Sequence, residues 1–417
     1  MVEDAIELLP VWTLHRKAIS NRLSNRISYQ SSLIVEEFLE SMKKSYNDNG
    51  KRFNKPVTKK CLSTILAHLI YASEHNLRVR YSRSTSHVKG AMNALTTIGV
   101  LNFLQRQSLV KQDIAHQSEH SNKQSTFWAT EKFEELVKNT VNWSELAYTG
   151  PLVVIRDESK EMLPLPAQAK KVVTAVNILN TFLKCFEVVQ DGKKQCIALR
   201  RVYRDSLELG GRFYTHGMLT YQNNKKALRS TIKIDGEETC ELDYKAMHLN
   251  ILHAWKKVQC KEDPYDIPGL DRDTVKRLVV RWVNSKPSDF KRVVTMSGKS
   301  EYKTEAGRVH LNPDARDSLI EDLPPGIKGE YAYSKLLEAY PDIASLIGHK
   351  NIGLQLQNTD STIMSIILDE LKLRMIPALP LHDSVIVKTS DAEITEKVML
   401  KAYQKVLNGF NISISRS

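Results

Sequence analysis

The chain has 417 residues, of which 41% are hydrophobic and 26% are charged. A chain of this length can form two or three domains with a sizeable core, and the composition is ordinary for a folded soluble protein. No long apolar run is present, which argues against a membrane span. The acidic start MVEDAIELLPVW is unlike the basic start of a signal peptide.

The cysteines and the net charge narrow the class of protein further. The five cysteines include no C-x-x-C pair, which argues against a zinc site or a disulfide framework and favours a reducing compartment. We therefore expect a cytoplasmic protein, located in the host-cell cytoplasm if a phage or plasmid encodes it. The net charge of +12 predicts a polyanionic partner, most commonly nucleic acid, although a basic soluble protein without such a partner has the same charge.

The N-terminal part of the chain contains helical patterns separated by basic turns. Residues 1–50 are predicted to be helical, and a turn-rich linker at Ser45–Pro56 leads to a second helix with apolar residues at helical spacing. We predict a further helix that begins after Ser82 or Ser84 and ends at Gly99.

Two predicted strands complete this region, one at Val100–Gln105 and a returning one at Ser125–Thr130. Helix, basic turn, helix and a two-stranded flap is the order of a winged helix, so we predict that residues 1–150 form a winged-helix-like nucleic-acid-binding domain. A small helical domain with a solvated basic face fits the same pattern. Four cations lie around the start of the predicted recognition helix: Arg78, Arg80, Arg83 and Lys89.

A boundary is predicted at Thr149-Gly150-Pro151. Pro164 and Pro166 then introduce a long helix, and a strand pair is predicted around Asp191–Gln195. We assign residues 151–206 to a connector that contains this helix.

Residues 207–417 contain the patterns that indicate chemistry. A β-hairpin is predicted with strands at Thr231–Asp235 and Thr239–Asp243 and a turn at Asp235-Gly236. The second strand ends at Asp243, and a helix follows through Trp255. A single carboxylate in this setting is usually only a helix cap or a first-turn charge.

Further downstream the sequence predicts a cationic helix and a second aspartate in a tight turn. Asp271 can cap a helix on which Arg272, Lys276 and Asn284 lie near one face, although such a helix alone is an ordinary surface helix. A strongly apolar helix follows, and then the segment LPLHDSVIV predicts two strands joined by a turn at His382-Asp383. Residues 285–329 indicate no role.

Two aspartates at strand ends with a cationic helix between them are the groups that phosphoryl transfer requires. Carboxylates can hold two magnesium ions, or manganese ions in their place, about 3.5–4 Å apart, and these ions activate the attacking oxygen and stabilise the leaving one. Cations on the helix can hold a triphosphate as pyrophosphate departs. Asp243, Asp383, Arg272 and Lys276 together therefore indicate chemistry more strongly than any of them alone.

In order along the chain, five segments resemble motifs of family A DNA polymerases and phage-type single-subunit RNA polymerases: GGRFYTHG, ELDYKAMHLNIL, RDTVKRLVVRWVNS, QNTDSTIM and LPLHDSVIV. The resemblance covers about half of the chain. It implies an α+β, mostly helical fold with a right-hand polymerase palm and fingers and a small thumb at the helix of residues 166–189.

The resemblance also implies roles for individual residues. Asp243 and Asp383 would be the catalytic metal ligands, Tyr244 would supply a backbone carbonyl to a metal, and Arg272 and Lys276 would bind the triphosphate. Other residues would select the sugar or contact the template and primer: His248 and Asn284 for the sugar, and Arg212, Gln357 and His382 for the template and primer.

The sequence departs from these families at the positions that select the sugar. Asn284 replaces the usual tyrosine, Ser285 replaces the following glycine, and His248 stands where the DNA enzymes have glutamate. The choice between ribonucleotides and deoxyribonucleotides is therefore open, and His248 can also be a packing residue. We expect no 3′–5′ exonuclease domain within these 417 residues.

We expect a nucleotidyltransferase that extends a nucleic-acid 3′ end from nucleoside triphosphates, directed by a DNA template. Its expected partners are nucleoside triphosphates and nucleic acid, with DNA as the first choice and RNA as the alternative. A template-independent or primer-synthesising enzyme fits the same residues. So does a catalytically inactive DNA-binding regulator of replication or transcription, which Asn284 and Ser285 favour.

Overall fold

The structure is a computed structural model, and it describes most of the chain. The described residues are 5–8, 12–21, 26–31, 33–48, 53–83, 93–115, 124–141, 146–215, 220–284, 301–303, 309–311, 329–347, 349 and 351–417. Among them, 5–7, 12–21, 26–31, 139, 281, 284, 301–303, 309–311 and 329–330 are described by their backbone alone.

The fold is α+β, as expected, and the chain divides into two compact units, each built from three segments. Unit 1 comprises Met1–Leu152, Val176–Arg200 and Thr215–Glu238. Unit 2 comprises Val153–Ala175, Arg201–Tyr214 and Thr239–Ser417. No helix in the described ranges is long and apolar enough to cross a membrane.

Unit 1 is organised around one helix, Lys55–Glu74, which is buried along most of its length because apolar and small side chains occur all around it. Asn54 caps this helix by accepting a hydrogen bond from the Val57 amide at 3.3 Å. The other helices of unit 1 are Leu33–Asp48, Ala94–Arg106, Glu131–Thr140 and Lys226–Arg229.

Two sheets belong to the N-terminal segment of unit 1. One has the strand order Ala5–Glu7, Arg78–Tyr81, Ser125–Ala129, Val110–Asp113. The other has the order Arg26–Ser31, Trp12–Asn21, Leu146–Tyr148. Short strands follow later in the unit at Val188–Gln190, Lys193–Lys194 and Lys233–Ile234.

Several sequence predictions for this region are wrong. The first 31 residues contain strands where helix was expected, and the helix begins at Leu33. Val100–Gln105 is not a strand but part of the helix Ala94–Arg106, which runs through Gly99, because Val100, Leu101, Phe103 and Leu104 are buried at helical spacing. Arg78 and Arg80 lie on a strand and not at the start of a helix. Lys89 lies outside the described residues.

Unit 2 contains four antiparallel strands of a seven-stranded sheet, in the order Ile414–Arg416, Glu237–Tyr244, Ser384–Lys388, Leu379–Leu381. The second of these strands begins in unit 1. A second sheet has the order Ser206–Thr215, Leu199–Arg204, Val153–Arg156, Met162–Leu163. In the part of unit 2 that the structure describes, the helices are Met247–Trp255, Arg272–Asn284, Gly329–Ala339, Pro341–Ala344, Ile352–Leu373 and Ala392–Val406. The helix Ala169–Leu183 begins in unit 2 and ends in unit 1, and a short hairpin pairs Glu301–Lys303 with Val309–Leu311.

The Gly-Gly-Arg segment depends on glycine for its backbone. Gly210 and Gly211 have φ angles of +73° and +88°, in the left-handed region that other residues rarely adopt. A Cβ on Gly211 would lie 2.5 Å from Cε1 of the buried Tyr203 ring. Both glycines therefore shape the strand that carries Arg212.

We predict that Gly211→Ala lowers the free energy of unfolding by more than the about 1–3 kcal/mol that backbone strain alone costs, because the new methyl group also overlaps the Tyr203 ring. Gly409→Ala is the matched control, since Gly409 has a φ of +89° and no other atom lies within 4 Å of the position that its new methyl group would take. Urea unfolding of both variants measures the difference, and equal losses would contradict the steric account.

Candidate active site

Asp243 and Asp383 lie at the ends of neighbouring strands in unit 2. Asp243 pairs with Ser384 across the sheet, and Asp383 is the residue that precedes Ser384. Leu381 also pairs with Ser384, so His382 and Asp383 form a two-residue turn. His382 has a φ of +58°, which is the backbone that a tight hairpin turn of this length requires. The sheet register therefore brings together two carboxylates that lie far apart in the sequence.

Asp243 is not the cap of the helix that follows it. That helix begins at Met247, and its N-cap residue Ala246 has a left-handed backbone and makes no side-chain cap hydrogen bond. The carbonyl of Asp243 accepts a hydrogen bond from Ser415 Oγ at 3.3 Å, which ties this strand end to the C-terminal strand. The commonest structural explanation for this aspartate is thereby excluded.

A cavity of about 530 Å³ lies where these strands end. Its lining includes most of the residues that the sequence singled out: Arg212, Asp243, Tyr244, His248, Arg272, Lys276, Gln357 and Asp383. Tyr265 and Ser415 also line it, and the sequence had indicated neither. His382 precedes the cavity residue Asp383, and the side chain of Asn284 is outside the described part of the chain.

The pKa of Tyr265 depends on the charges that line this cavity. Burial raises its pKa to about 12, and the negative charges of Asp383 and Asp243 act in the same direction, while Arg272 opposes them. The Arg272 guanidinium lies 5.4 Å from the centre of the Tyr265 ring. Tyr265 is thus close enough to interact with both carboxylates and with a cation of the helix.

Arg272 and Lys276 line the cavity from successive turns of the helix Arg272–Asn284. The expected cap is present, since the Thr274 amide donates to Asp271 Oδ1 at 2.9 Å. Arg272 forms an ion pair with Asp263, with Nε 2.9 Å from Oδ2. The two side chains are 57% and 44% exposed, so this ion pair is weak and can be exchanged for a stronger anion.

Arg212 is held by a buried carboxylate that the sequence did not reveal. Arg212 Nε lies 3.0 Å from Asp360 Oδ2 and 3.2 Å from Oδ1, and Nη2 bonds to the same carboxylate. The Asp360 side chain has no exposed surface. Burial alone would lower the pKa of Arg212, but the hydrogen bonds and charge of Asp360 outweigh burial and raise it, with a further contribution from Asp383.

His248 belongs to the same cluster. Its Nε2 lies 3.1 Å from Asp360 Oδ2 and 3.1 Å from Arg212 Nη2. His248, the residue expected to select the sugar, therefore contacts the Arg212–Asp360 ion pair through Nε2. It also lines the cavity. This arrangement gives His248 a defined orientation, which a gate residue requires.

The segment QNTDSTIM combines structural and cavity-lining residues. The Asn358 amide donates to the carbonyls of Leu207 and Gly210 at 3.0 and 3.2 Å, and Ser361 Oγ donates to Gly210 at 3.2 Å. These bonds attach the helix Ile352–Leu373 to the strand that carries Arg212. Gln357 is the residue of this segment that lines the cavity.

His382 and Tyr244 have mainly packing contacts. The His382 ring lies edge-on to Tyr214 at 5.5 Å, and burial lowers its pKa, as does the charge of Arg212, against the opposing charges of Asp383 and Asp360. The Tyr244 hydroxyl donates to the Met399 carbonyl at 2.6 Å, and its backbone pairs with Ile414.

The donors in the cavity fit a hard cation such as magnesium. Asp243 and Asp383 supply carboxylate oxygens, and magnesium is commonly held by one or two carboxylates together with substrate phosphates and waters. Within the described ranges no group of three or more His, Cys, Asp or Glu side chains could hold a metal by itself.

We predict that Asp360→Ala lowers the free energy of unfolding by about 3–5 kcal/mol, because it leaves Arg212 buried without its counter-charge. Asp369→Ala on the same helix is the control. Asp369 is 57% exposed in its pair with Lys372, so the loss should stay within about 0.5 kcal/mol. Denaturant unfolding measures both changes. A small loss in Asp360→Ala would mean that Arg212 does not depend on this carboxylate.

Comparison with known proteins gives a weak structural likeness and no match in sequence. No protein-family model and no curated protein matches the chain. Similar solved structures include the POL domain of Pol1 from M. smegmatis in complex with DNA primer-template and dNTP, at 11% sequence identity and a TM-score of 0.31. The similarity covers 60% of this chain and 51% of that one, so the chain spans about half the length of that structure. A TM-score of this size does not establish a shared fold.

Proposed function

We propose that the protein is a nucleic-acid polymerase that extends a 3′ end from nucleoside triphosphates by two-metal phosphoryl transfer, directed by a template. The observation that carries this proposal is the meeting of Asp243 and Asp383 on adjacent strand ends in a cavity that Arg272 and Lys276 also line. Carboxylates and cations in one cavity match the two requirements of the reaction, which are metal binding and neutralisation of a triphosphate.

The four antiparallel strands of unit 2 would be the palm, and the helix Arg272–Asn284 would belong to the fingers. In this assignment the helix Ala169–Leu183 serves as a small thumb and residues 1–150 dock on nucleic acid. Asp243 and Asp383 would hold magnesium, with the Tyr244 carbonyl as a further oxygen ligand. The bound metal would lower the pKa of the attacking hydroxyl and stabilise the departing oxygen.

The cations would have different roles, because their environments differ. Arg272 and Lys276 are exposed and one helical turn apart, so they can follow a flexible triphosphate. Arg212 is fixed by Asp360, so its role toward the template or primer would be that of a rigid positive charge beside His248. Gln357 also lines the cavity and would donate or accept hydrogen bonds there.

We predict that Asp243→Ala and Asp383→Ala each reduce nucleotide incorporation by at least about 10²–10³-fold while primed-template binding stays within about threefold, because metal-assisted chemistry is lost and phosphate contacts remain. Incorporation of labelled dNTPs and rNTPs, with magnesium or manganese and with or without a primed template, measures the loss.

The exposed Asp369→Ala variant is the control for these measurements and should retain full activity. Incorporation at the unaltered rate by either site variant would refute the two-metal assignment. Incorporation without a template would mean that the enzyme has a terminal or primer-synthesising activity and is not template-directed. The absence of incorporation under every condition would favour a nucleic-acid-binding regulator.

We further predict that Asp263→Asn lowers the KM for the nucleoside triphosphate by up to about fivefold, the range expected when an exposed ion pair no longer competes for Arg272. Steady-state kinetics measures the change. In an Arg272→Ala background the Asp263→Asn substitution should have no effect, since the competing pair is already absent. A persistent effect there would show that Asp263 acts on another group.

A further inference from the structure

One face of the N-terminal sheet carries basic and aromatic side chains. In the strands Arg78–Tyr81, Val110–Asp113 and Ser125–Ala129, alternate residues point to opposite faces of the sheet. One face is buried: Val79, Tyr81, Val110, Ser125 and Phe127. The other face, which we call the open face, is half-buried or exposed and consists of Arg78, Arg80, Lys111, Asp113, Thr126 and Trp128.

The register of the strands places Trp128 between two cations. Lys111 pairs directly with Trp128, and on the other side Arg80 pairs with Thr126, which puts Arg78 beside Trp128. The Arg78 guanidinium lies 3.9 Å from the centre of a Trp128 ring. An arginine plane stacked on an indole is a preformed surface on which a further flat ring can stack.

The charge of the open face is positive. Arg78, Arg80 and Lys111 contribute three cations, and Asp113 and Glu7 contribute two anions, since Glu7 pairs with Arg80 on the neighbouring strand and so lies on the same face. The Asp113 side chain, which is 70% exposed, lies 3.9 Å from Arg78 Nη1. The Arg78–Asp113 pair is weak at this distance and exposure, and Lys111 is exposed, so a stronger anion can compete for this face. Positive charge beside a stacking surface is the combination that single-stranded nucleic acid recognises, because phosphates and bases alternate along the strand.

We propose that the open face binds an extended single strand of nucleic acid. A base stacks on the Arg78–Trp128 pair, and a flanking phosphate contacts Lys111. A duplex fits this face less well, because its bases are stacked on each other and offer only their edges and the backbone. The contacts do not read the sugar, so DNA and RNA strands of the same length bind alike. The site is separate from the cavity that contains Asp243 and does not depend on its function.

Fluorescence anisotropy of the full-length protein with labelled oligo(dT), oligo(U) and a duplex of equal length tests the proposal. Trp128→Ala should weaken binding of both single strands by about 5- to 150-fold, the range measured for the loss of one base–aromatic stack. Lys111→Glu should weaken it as well and reduce the slope of log affinity against log salt by about 0.7. Asp113→Asn should strengthen binding.

Lys138→Glu is the matched control for Lys111→Glu, since it makes the same charge change at an exposed position of the helix Glu131–Thr140. That helix packs against Lys55–Glu74, the helix that also packs against the strands Arg78–Tyr81 and Ser125–Ala129. If both lysine variants weakened binding equally, the loss would be explained by net charge alone, and the proposal would be overturned. Thermal unfolding of Trp128→Ala, followed by circular dichroism, separates lost binding from lost folding.

The place of binding is established by photocrosslinking of an oligonucleotide that contains 5-iodouracil, with mass spectrometric mapping of the crosslinked peptide. The expected crosslinks fall on the strand Ser125–Ala129 and persist in Asp243→Ala, which keeps this outcome independent of catalysis. Crosslinks confined to other segments would overturn the proposal. The proposal would also be overturned if the duplex bound more tightly than the single strands and Trp128→Ala did not change its affinity. That result would instead indicate that the domain binds duplex in the manner of a winged helix.

Discussion

The candidate active site depends on the register between the strands Glu237–Tyr244 and Ser384–Lys388. Leu242 pairs with Val385, and both are fully buried, while Asp243 pairs with Ser384. A shift by one residue would turn every side chain of a strand to the opposite face, so the apolar residues could not remain buried. The hydrophobic core of unit 2 therefore fixes the position of the two aspartates, and the tight turn at His382 holds Asp383 beside the strand end.

A buried charge imposes the second constraint. Asp360 has no exposed surface, and a carboxylate in that environment costs several kcal/mol unless a cation and hydrogen bonds compensate it. Arg212 and His248 provide the compensation, so the strand with the two glycines, the helix after Asp243 and the helix Ile352–Leu373 are attached at one point. The same contacts orient two cavity-lining residues, which links the stability of unit 2 to the shape of its cavity.

Sequence alone predicted the local elements around the aspartates, because each has a distinct signal. Asp235-Gly236 gives the hairpin, with both residues at positive φ, and Asp271 gives the helix cap. It did not identify Asp360, since an aspartate in the polar run QNTDSTIM resembles a surface residue until its partner 148 positions away is known. Tyr265 and Asp263 were missed because loop residues have no periodicity that would place them.

The N-terminal errors have a related origin. Short apolar runs such as Val100–Gln105 fit either a strand or a helix, and only packing against the buried helix Lys55–Glu74 decides between them. The strand Ala5–Glu7 pairs with residues far along the chain, as Ala5 does with Arg78, so local patterns contain little information about it.

Net charge predicts a polyanionic partner but cannot show which cations meet it. Arg201 is enclosed between the rings of Tyr203 and Phe213, about 5 Å from each, and donates to the Gly211 carbonyl, so it stabilises the fold. Arg212 is committed to Asp360, whereas Arg272 and Lys111 are exposed. Because a buried, paired cation has lost its water and gained fixed partners, it cannot follow a moving phosphate. Exposed cations at a cavity or on a sheet face keep that freedom, so they are the groups that the proposed nucleic-acid contacts would use.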